Sequence, residues 1–127
     1  MAKKLHTVLT IRLFTDEKCF GPGVATLLHN VEELHSLRAA AMKMNMAYSK
    51  AWSIIRNAEE QLGFKLLLST TGGRHGGGAV LTEEGQKLLV AYDGYCREVN
   101  QAAEELYGKY FASYSTPDEL TKTPSDP

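Results

Sequence analysis

Polar side chains recur through one short stretch of the chain at spacings that suit hydrogen bonding to a polyanion. They are Ser49, Lys50, Ser53 and Arg56. Hydroxyls reach base edges or phosphates, while lysine and arginine take phosphate or guanine. Tyr48 and Trp52 lie among them, and each ring either packs on a sugar-phosphate backbone or covers the helix pair. The pattern indicates a DNA contact, with a solvated helix surface as the alternative.

A glycine-rich loop follows twenty residues later and is the second candidate for chemistry. Residues 71–79 read Thr-Gly-Gly-Arg-His-Gly-Gly-Gly-Ala. Free glycine amides can cradle phosphate, but the Gly-Lys-Ser/Thr sequence of a nucleotide-binding loop is missing, and two short strands flank the loop. As a hairpin tip it would let the backbone approach DNA, with Arg74 and His75 reaching phosphate or the minor groove. A flexible hairpin tip is the alternative. The candidate contacts in the loop are Thr71, Gly72, Gly73, Arg74 and His75.

The charge distribution supports a local polyanion contact. Residues 37–78 contain six basic and two acidic side chains, a net +4, whereas the whole chain has a net charge of −1. Arg38, which precedes the polar stretch, is a further candidate for a phosphate contact. Residues 79–127 contain four basic and nine acidic side chains, a net −5. A basic centre within a near-neutral chain is typical of a local nucleic-acid footprint.

Composition argues against several other classes of protein. The 127 residues suffice for an ordinary domain with a buried core, and no apolar run reaches the roughly 18 residues of a membrane span. Two distant cysteines predict reduced thiols in a cytoplasmic protein. His29 and His35 are poorly spaced for metal ligation, so we expect neither a metal site nor a cofactor. No nucleophile–base pairing is evident, so an enzyme is not indicated.

The elements that must position these residues follow from periodicity. Alternation predicts a strand over residues 5–14, and Gly21-Pro22-Gly23 opens a helix. Ser36 caps a second helix, residues 44–46 form a turn, and a third helix runs from about Tyr48 to Leu62 before Gly63. Residues 66–71 and 79–81 are predicted strands. Thr82 begins a long last helix that extends to about Phe111.

The last helix is too long for a small domain to cover, so we expect part of its apolar stripe to pair with the same helix of a second chain. Folding back over the first helix is the alternative. The predicted dimer interface consists of Leu88, Tyr92, Tyr95, Cys96, Val99, Ala103, Leu106 and Tyr110.

The order of elements is that of a winged helix-turn-helix, in which the second helix of the pair enters the major groove. We therefore predict a mainly α fold with a small β wing and a long C-terminal dimerisation helix. The expected organisation is a DNA-binding domain over residues 1–81, a dimerisation helix over residues 82–113 and a disordered tail over residues 114–127.

Several residues resemble the DNA-binding domain of LysR-type bacterial regulators, and more closely that of the molybdate-responsive ModE family. They are Ala40-Ala41, Met44, Ile55, Glu59, Leu62-Gly63, Leu66 and Leu81-Thr-Glu-Glu-Gly85. Residues 48–52, Tyr-Ser-Lys-Ala-Trp, resemble the family's Ser-Tyr-Lys-Ser-Ala-Trp. Residues 71–82 resemble its glycine-rich wing, which is the more specific motif. The resemblance covers about residues 7–110.

The resemblance implies a homodimeric regulator of transcription that binds a palindromic site on double-stranded DNA, with molybdenum-related genes as candidate targets. Ala47 stands where the family has a serine cap, and the following Ser/Lys order is swapped, so operator preference is expected to differ. The family's C-terminal molybdate-binding domains are missing, so the resemblance leaves direct molybdate binding doubtful. Two alternatives remain: an interaction adaptor that has lost DNA binding, and an oxyanion sensor at the dimer interface.

Overall fold

The computed structural model describes residues 3–70 and 78–114. Contacts divide the chain into two compact units, residues 10–93 and residues 1–9 with 94–127. The first unit contains strands β1 (Leu13–Phe14) and β2 (Lys18–Phe20) and helices α1 (Pro22–Leu34), α2 (Leu37–Lys43) and α3 (Tyr48–Leu62). Strands β3 (Leu67–Thr70) and β4 (Gly78–Leu81) and the start of helix α4 (Glu83–Phe111) complete it. A short 3-10 helix, Ala112–Tyr114, follows α4. This architecture confirms the predicted mainly α fold with a β wing.

Three helices form the core of the first unit because each carries an apolar stripe at helical spacing. The α1 stripe consists of Val24, Leu27, Leu28 and Val31, all buried. Ala40 and Ala41 of α2 are fully buried, and their small side chains allow α1 to approach closely. The buried Asn30 of α1 donates from Nδ2 to the Ala40 carbonyl at 3.4 Å, which satisfies the amide within the core.

The helix boundaries follow local signals in the sequence. Gly21 precedes α1, and Pro22 occupies its first turn. Ser36 caps α2, since its Oγ accepts from the Ala39 amide at 3.0 Å. Gly63 ends α3 in the left-handed region at φ 84°. These three predictions are confirmed.

The connection between α2 and α3 is short and fixed by backbone hydrogen bonds. Asn45 adopts φ 54°, and the Met46 amide donates to the Ala41 carbonyl at 2.9 Å. Across the other side of α2, Lys43 Nζ lies 2.6 Å from Glu33 Oε1 of α1. The hydrogen bond from Lys43, together with its positive charge, lowers the pKa of the Glu33 carboxyl.

The prediction of a long strand over residues 5–14 is wrong. Only Leu13 and Phe14 pair, with Phe20 and Lys18 of β2, and the register shifts between Leu13 and Phe14. Alternation marks faces that a strand would present, but a strand also needs a partner of matching length. Leu5, Val8 and Leu9 are 45%, 78% and 44% exposed, so no buried side enforces the pairing.

The wing is an antiparallel pair in which Leu67 faces Leu81 and Thr70 faces Gly78. The hairpin is attached to α1 through the Ala79 amide, which donates to the His35 carbonyl at 3.0 Å. A Cβ at Gly78 would lie 2.6 Å from that same carbonyl oxygen, so the close approach requires glycine here.

The start of α4 is fixed to the loop before the wing. Thr82 Oγ1 accepts from the Gly85 amide at 2.9 Å and donates to the Lys65 carbonyl at 2.6 Å. Thr82 therefore caps the helix as predicted and holds it against residues 65–66. Within the described ranges, no helix is long and apolar enough to cross a membrane.

In the second unit, the N-terminal segment lies along the later turns of α4. Tyr107 donates from its hydroxyl to the Leu5 carbonyl at 2.7 Å. The rings of Tyr107, Phe111 and Tyr114 follow one another, with centroid separations of 5.4 and 6.3 Å. Aromatic contacts thus organise the end of this helix.

Candidate nucleic-acid interface

Helix α3 presents a polar face to solvent because its buried residues lie on one side, toward the core. Ala51, Ile55 and Ala58 are buried. The side chains predicted to contact DNA from this helix lie on the exposed part: Tyr48, Ser49, Lys50, Trp52, Ser53 and Arg56. The structure thus brings the six α3 candidates together on an accessible surface.

Both aromatic rings lie beneath an arginine. The guanidinium carbon of Arg38 is 4.2 Å from the centroid of the Tyr48 ring, and that of Arg56 is 4.7 Å from the Trp52 ring. Tyr48 is 38% exposed and Trp52 is 46% exposed. Stacking restrains each guanidinium while leaving its edge N–H groups available to an acceptor. The rings therefore support cationic groups on the surface and are not core residues.

The cationic groups of this face have no counter-ion within the described part of the chain. Among the residues that the structure describes, no ion pair involves Arg38, Lys50 or Arg56. An exposed cation that is oriented but not neutralised retains its charge for an external anion. Phosphate oxygens and the acceptor edge of guanine are the nucleic-acid groups that match a guanidinium.

A groove of about 520 Å³ runs between α3 and the wing. Its charged lining residues are Arg38, Arg56, Lys65 and Glu59. The Glu59 carboxylate is already engaged, because its Oε2 accepts from the amides of Leu66 at 2.8 Å and Leu67 at 3.3 Å. The acid therefore anchors the first residues of the wing, and the remaining charges of the groove are positive.

The tip of the wing lies outside the described residues. Thr71, Gly72, Gly73, Arg74 and His75 all fall there. The strands that lead into it are held together at their open ends, where the Gly78 amide donates to Thr70 Oγ1 at 3.0 Å.

Two further polar residues belong to this surface and were missed from the sequence. Lys65 lines the groove beside the wing, and Asn57 is exposed on α3. Asn57 follows Ser53 by four residues, so helical periodicity alone would have placed it on the same side. Lys65 lies after the helix end, where no periodic signal applies.

The residues predicted for a dimer interface divide between the two units. Tyr92 is 6% exposed within the first unit, where its hydroxyl donates to the Ile11 carbonyl at 2.7 Å and its ring meets Phe20 edge-on at 5.0 Å. Leu88, in the same unit, is half-buried. In the second unit, Tyr95, Leu106 and Tyr110 are 59%, 54% and 62% exposed. Cys96, Val99 and Ala103 are half-buried there.

Comparison with protein families identifies the helix-turn-helix. Residues 25–86 match the bacterial regulatory helix-turn-helix protein family of lysR type. The matched range begins in α1, contains α2, α3 and both wing strands, and ends in the first turn of α4. It therefore includes all the exposed candidates on α3.

Curated relatives are similar over the N-terminal part of the chain. The molybdenum-pterin-binding protein MopB of Rhodobacter capsulatus is 36% identical over 72 residues, which are 57% of this chain and 27% of MopB. The DNA-binding transcriptional dual regulator ModE of Escherichia coli (strain K12) is 34% identical over 87 residues, 68% of this chain and 32% of ModE. The chain thus spans about a third or less of the length of these relatives.

Solved structures agree on the fold. The crystal structure of VV2_1132, a LysR family transcriptional regulator, superposes with a TM-score of 0.50 at 21% identity. The match covers 70% of this chain and 29% of that regulator. At this identity the likeness concerns the fold alone.

Proposed function

We propose that this chain, which carries a lysR-family helix-turn-helix domain of the kind found in ModE proteins, is a sequence-specific double-stranded-DNA-binding regulator of transcription. The observation that carries the proposal is the exposed surface of α3, where Arg56 lies over Trp52 on one flank and the exposed Lys50 lies on the other. Cations held by rigid rings on a polar helix face match the acceptors of a DNA major groove.

Each side chain has a role that follows from its position. Ser49 and Ser53 are exposed in the first two turns of α3 and reach base edges. Arg56 and Lys50 take guanine or phosphate. Arg38, restrained on Tyr48, takes a phosphate beside the helix. Arg74 and His75 of the wing tip contact phosphate or the minor groove in this proposal.

The regulator acts as a homodimer in the cytoplasm and has no enzymatic role. Support for dimerisation comes from the exposed Tyr95, Leu106 and Tyr110 of α4, since apolar side chains grouped on a helix favour burial against a partner. We assign residues 1–81 to DNA binding and residues 82–113 to dimerisation. Two-fold symmetry of the protein predicts a palindromic operator with half-sites about one helical turn apart, or a multiple of it.

The regulated genes are proposed to concern molybdenum. Support comes from the names of the relatives, which include a molybdenum-pterin-binding protein and, in Azotobacter vinelandii, a molybdenum transport protein. The chain spans about a third or less of these relatives, so the proposal extends to the target genes and not to molybdate binding by these residues. Equilibrium dialysis against molybdate tests the latter directly, and we expect no retention.

Selection of bound duplexes from a random-sequence DNA pool tests the proposed function. We expect enrichment of one motif with two-fold symmetry. If Arg56 reads a base, the Arg56→Ala variant should enrich a degenerate version of that motif while the fold remains; loss of a phosphate contact would weaken binding and leave the motif unchanged. A pool that stays random after repeated selection with the wild-type chain contradicts sequence-specific binding.

A further inference from the structure

A second groove flanks α3 on the side away from the wing. It has a volume of about 530 Å³ and is lined by the start of α1, by β2 and by α3. Its cations come from three separate segments: Arg12 precedes β1, Lys18 opens β2, and Lys50 lies in the first turn of α3. Ser53 and Asn57 add neutral hydrogen-bonding groups from α3.

The groove is electrostatically one-sided. Its lining contains three basic side chains and no carboxylate. Among the described residues, none of Arg12, Lys18 and Lys50 forms an ion pair. The acids nearest in sequence, Asp16 and Glu17, do not line the groove. Residues 1–36 have no net charge in sequence, so this local concentration of positive charge exists only in the folded chain.

The two grooves lie on opposite flanks of one helix. The α3 residues that line the wing-side groove are Tyr48, Trp52, Ile55, Arg56 and Glu59. Those that line the second groove are Lys50, Ser53, Ile54 and Asn57. At about 100° per residue, the two sets point to roughly opposite sides of the helix axis. Ser49 and Glu60, which line neither groove, lie on the exposed face between them.

A DNA major groove has a phosphate backbone along each of its two edges. It is about 12 Å wide, and a helix with its side chains is roughly 10–12 Å across, so an inserted helix meets a backbone on each flank. On the wing side the groove offers Arg38, Arg56 and Lys65. To bind the phosphates of the opposite strand, the protein needs a second set of cations on the other flank of α3.

We infer that the groove formed by Arg12, Lys18 and Lys50 binds the phosphate backbone of the DNA strand opposite the wing. This inference rests on the proposed DNA binding by α3. It assigns a phosphate-binding role to the β1–β2 hairpin, which neither element periodicity nor segment charge indicates. Because phosphate contacts are independent of base sequence, the groove contributes equally to binding of operator and of unrelated duplex.

Two substitutions test the groove without disturbing the core. Lys18 is exposed, so Lys18→Gln removes one charge and little packing. Gly23, in the first turn of α1, lines the groove, and a Cβ built there meets nothing within 4 Å. Gly23→Asp therefore places a carboxylate at the groove without a clash. An aspartate in the first turn of a helix also favours folding, so lost binding cannot be ascribed to lost stability.

The experiment measures fluorescence anisotropy of a labelled duplex of arbitrary sequence, titrated with the full chain across a salt series. Lys18→Gln should weaken binding on the order of five- to ten-fold at about 0.1 M salt, and lower the slope of log affinity against log salt by about 1. Gly23→Asp should weaken binding at least as much while its Tm is unchanged or higher. Lys87→Gln, the same charge change at an exposed residue of α4, is the matched control and should leave the slope unaltered.

Two results would overturn the inference, and they distinguish failure of the groove alone from failure of the proposed function. If the wild-type chain binds with a salt-dependent affinity, and Lys18→Gln retains both affinity and slope, the groove takes no phosphate while the proposed function stands. If the wild-type chain binds no duplex even at low salt, the proposed function fails together with the groove. If Gly23→Asp does not fold, the slope of log affinity against log salt for Lys18→Gln decides whether the groove binds phosphate.

Discussion

Glu59 near the end of α3 accepts a hydrogen bond from the backbone amide of Leu66 at 2.8 Å. The same oxygen takes the Leu67 amide at 3.3 Å, so one carboxylate joins the helix proposed to read DNA to the first strand of the wing. Leu66 is fully buried, so its amide relies on this carboxylate for a hydrogen-bond acceptor. The spacing between α3 and the wing therefore depends on this contact.

Replacing Glu59 tests that dependence. Glu59→Ala should lower the free energy of unfolding by about 1–3 kcal/mol, because two amides lose a charged acceptor. Glu59→Gln retains an acceptor oxygen and should lose less. Urea unfolding gives the comparison, and Glu60→Ala at the exposed neighbouring position is the control, expected within about 0.5 kcal/mol of wild type. Equal stabilities for Glu59→Ala and Glu60→Ala would show that the contact is dispensable.

Two helical glycines of α4 should respond in opposite directions to alanine. A Cβ at Gly85 would lie 2.6 Å from the Leu66 carbonyl oxygen and 3.1 Å from Thr82 Oγ1. Gly85→Ala therefore requires the first turn of α4 to move away from Leu66. We expect a loss of roughly 1–3 kcal/mol. At Gly94 the nearest atom is the flexible Arg97 guanidinium at 3.6 Å, so Gly94→Ala should gain about 0.5–1 kcal/mol. Thermal unfolding of both variants measures the two changes in stability. A shift of Tm in the same direction for both variants would contradict the prediction.

The N-terminus of α3 has no side-chain cap, although its backbone conformation suits one. Ala47 is at the N-cap position with extended backbone, φ −63° and ψ 144°, and forms no side-chain hydrogen bond. Ala47→Ser should raise stability by about 0.5–2 kcal/mol. Ser36→Ala, the reverse change at the N-cap of α2, should lower stability by a similar amount because Ser36 Oγ accepts a hydrogen bond from the Ala39 amide. A calorimetric Tm that falls for Ala47→Ser would mean that the serine hydroxyl does not reach the amides of the first turn.

The exposed apolar residues of α4 give a test of dimerisation. Leu106→Glu and Tyr110→Glu place a charge where the side chains are 54% and 62% exposed, so neither should affect the fold of one chain. We expect both to shift sedimentation equilibrium from dimer toward monomer, since a charge buried at an interface is costly. The exposed Glu104→Gln is the control and should remain dimeric. A wild-type chain that sediments as a monomer at every concentration contradicts the proposed homodimer.

Sequence reasoning succeeded where a single residue determines the local backbone. Ser36 and Gly63 were identified from side-chain chemistry and left-handed backbone preference, and α3 begins and ends as predicted. It failed at residues 5–12, because alternation cannot show whether a strand has a partner, and β2 is only three residues long.

The candidate site was predictable only as far as helical periodicity assigns residues to a face. Periodicity places Ser49, Ser53 and Arg56 on one face, but it cannot show that Arg38 and Arg56 stack on Tyr48 and Trp52, which depends on how α2 and α3 pack. Nor can it show that Tyr92 is covered by Phe20 of the same chain, because an apolar stripe does not specify its partner. Arg12, Lys18 and Lys50 meet only through the tertiary fold.

Arg56 is the residue of α3 on which the account depends most. Arg56→Ala should weaken binding to the selected duplex by about 1–3 kcal/mol if the guanidinium reads a base, with little change in Tm because the side chain is exposed. Arg97→Ala removes an exposed arginine from α4 and should bind as wild type. A fall in Tm with unchanged affinity of the folded fraction would assign Arg56 a structural role instead.

The affinity of the wild-type chain for the DNA upstream of its own gene, measured across a salt series, is the decisive test of DNA binding. Neutralisation of phosphates by Arg38, Lys50 and Arg56 predicts a linear fall of log affinity with log salt, with a slope of about −0.9 for each phosphate contacted. It also predicts tighter binding to this duplex than to a shuffled sequence of the same composition. No binding, or an affinity unaffected by salt, would contradict the account.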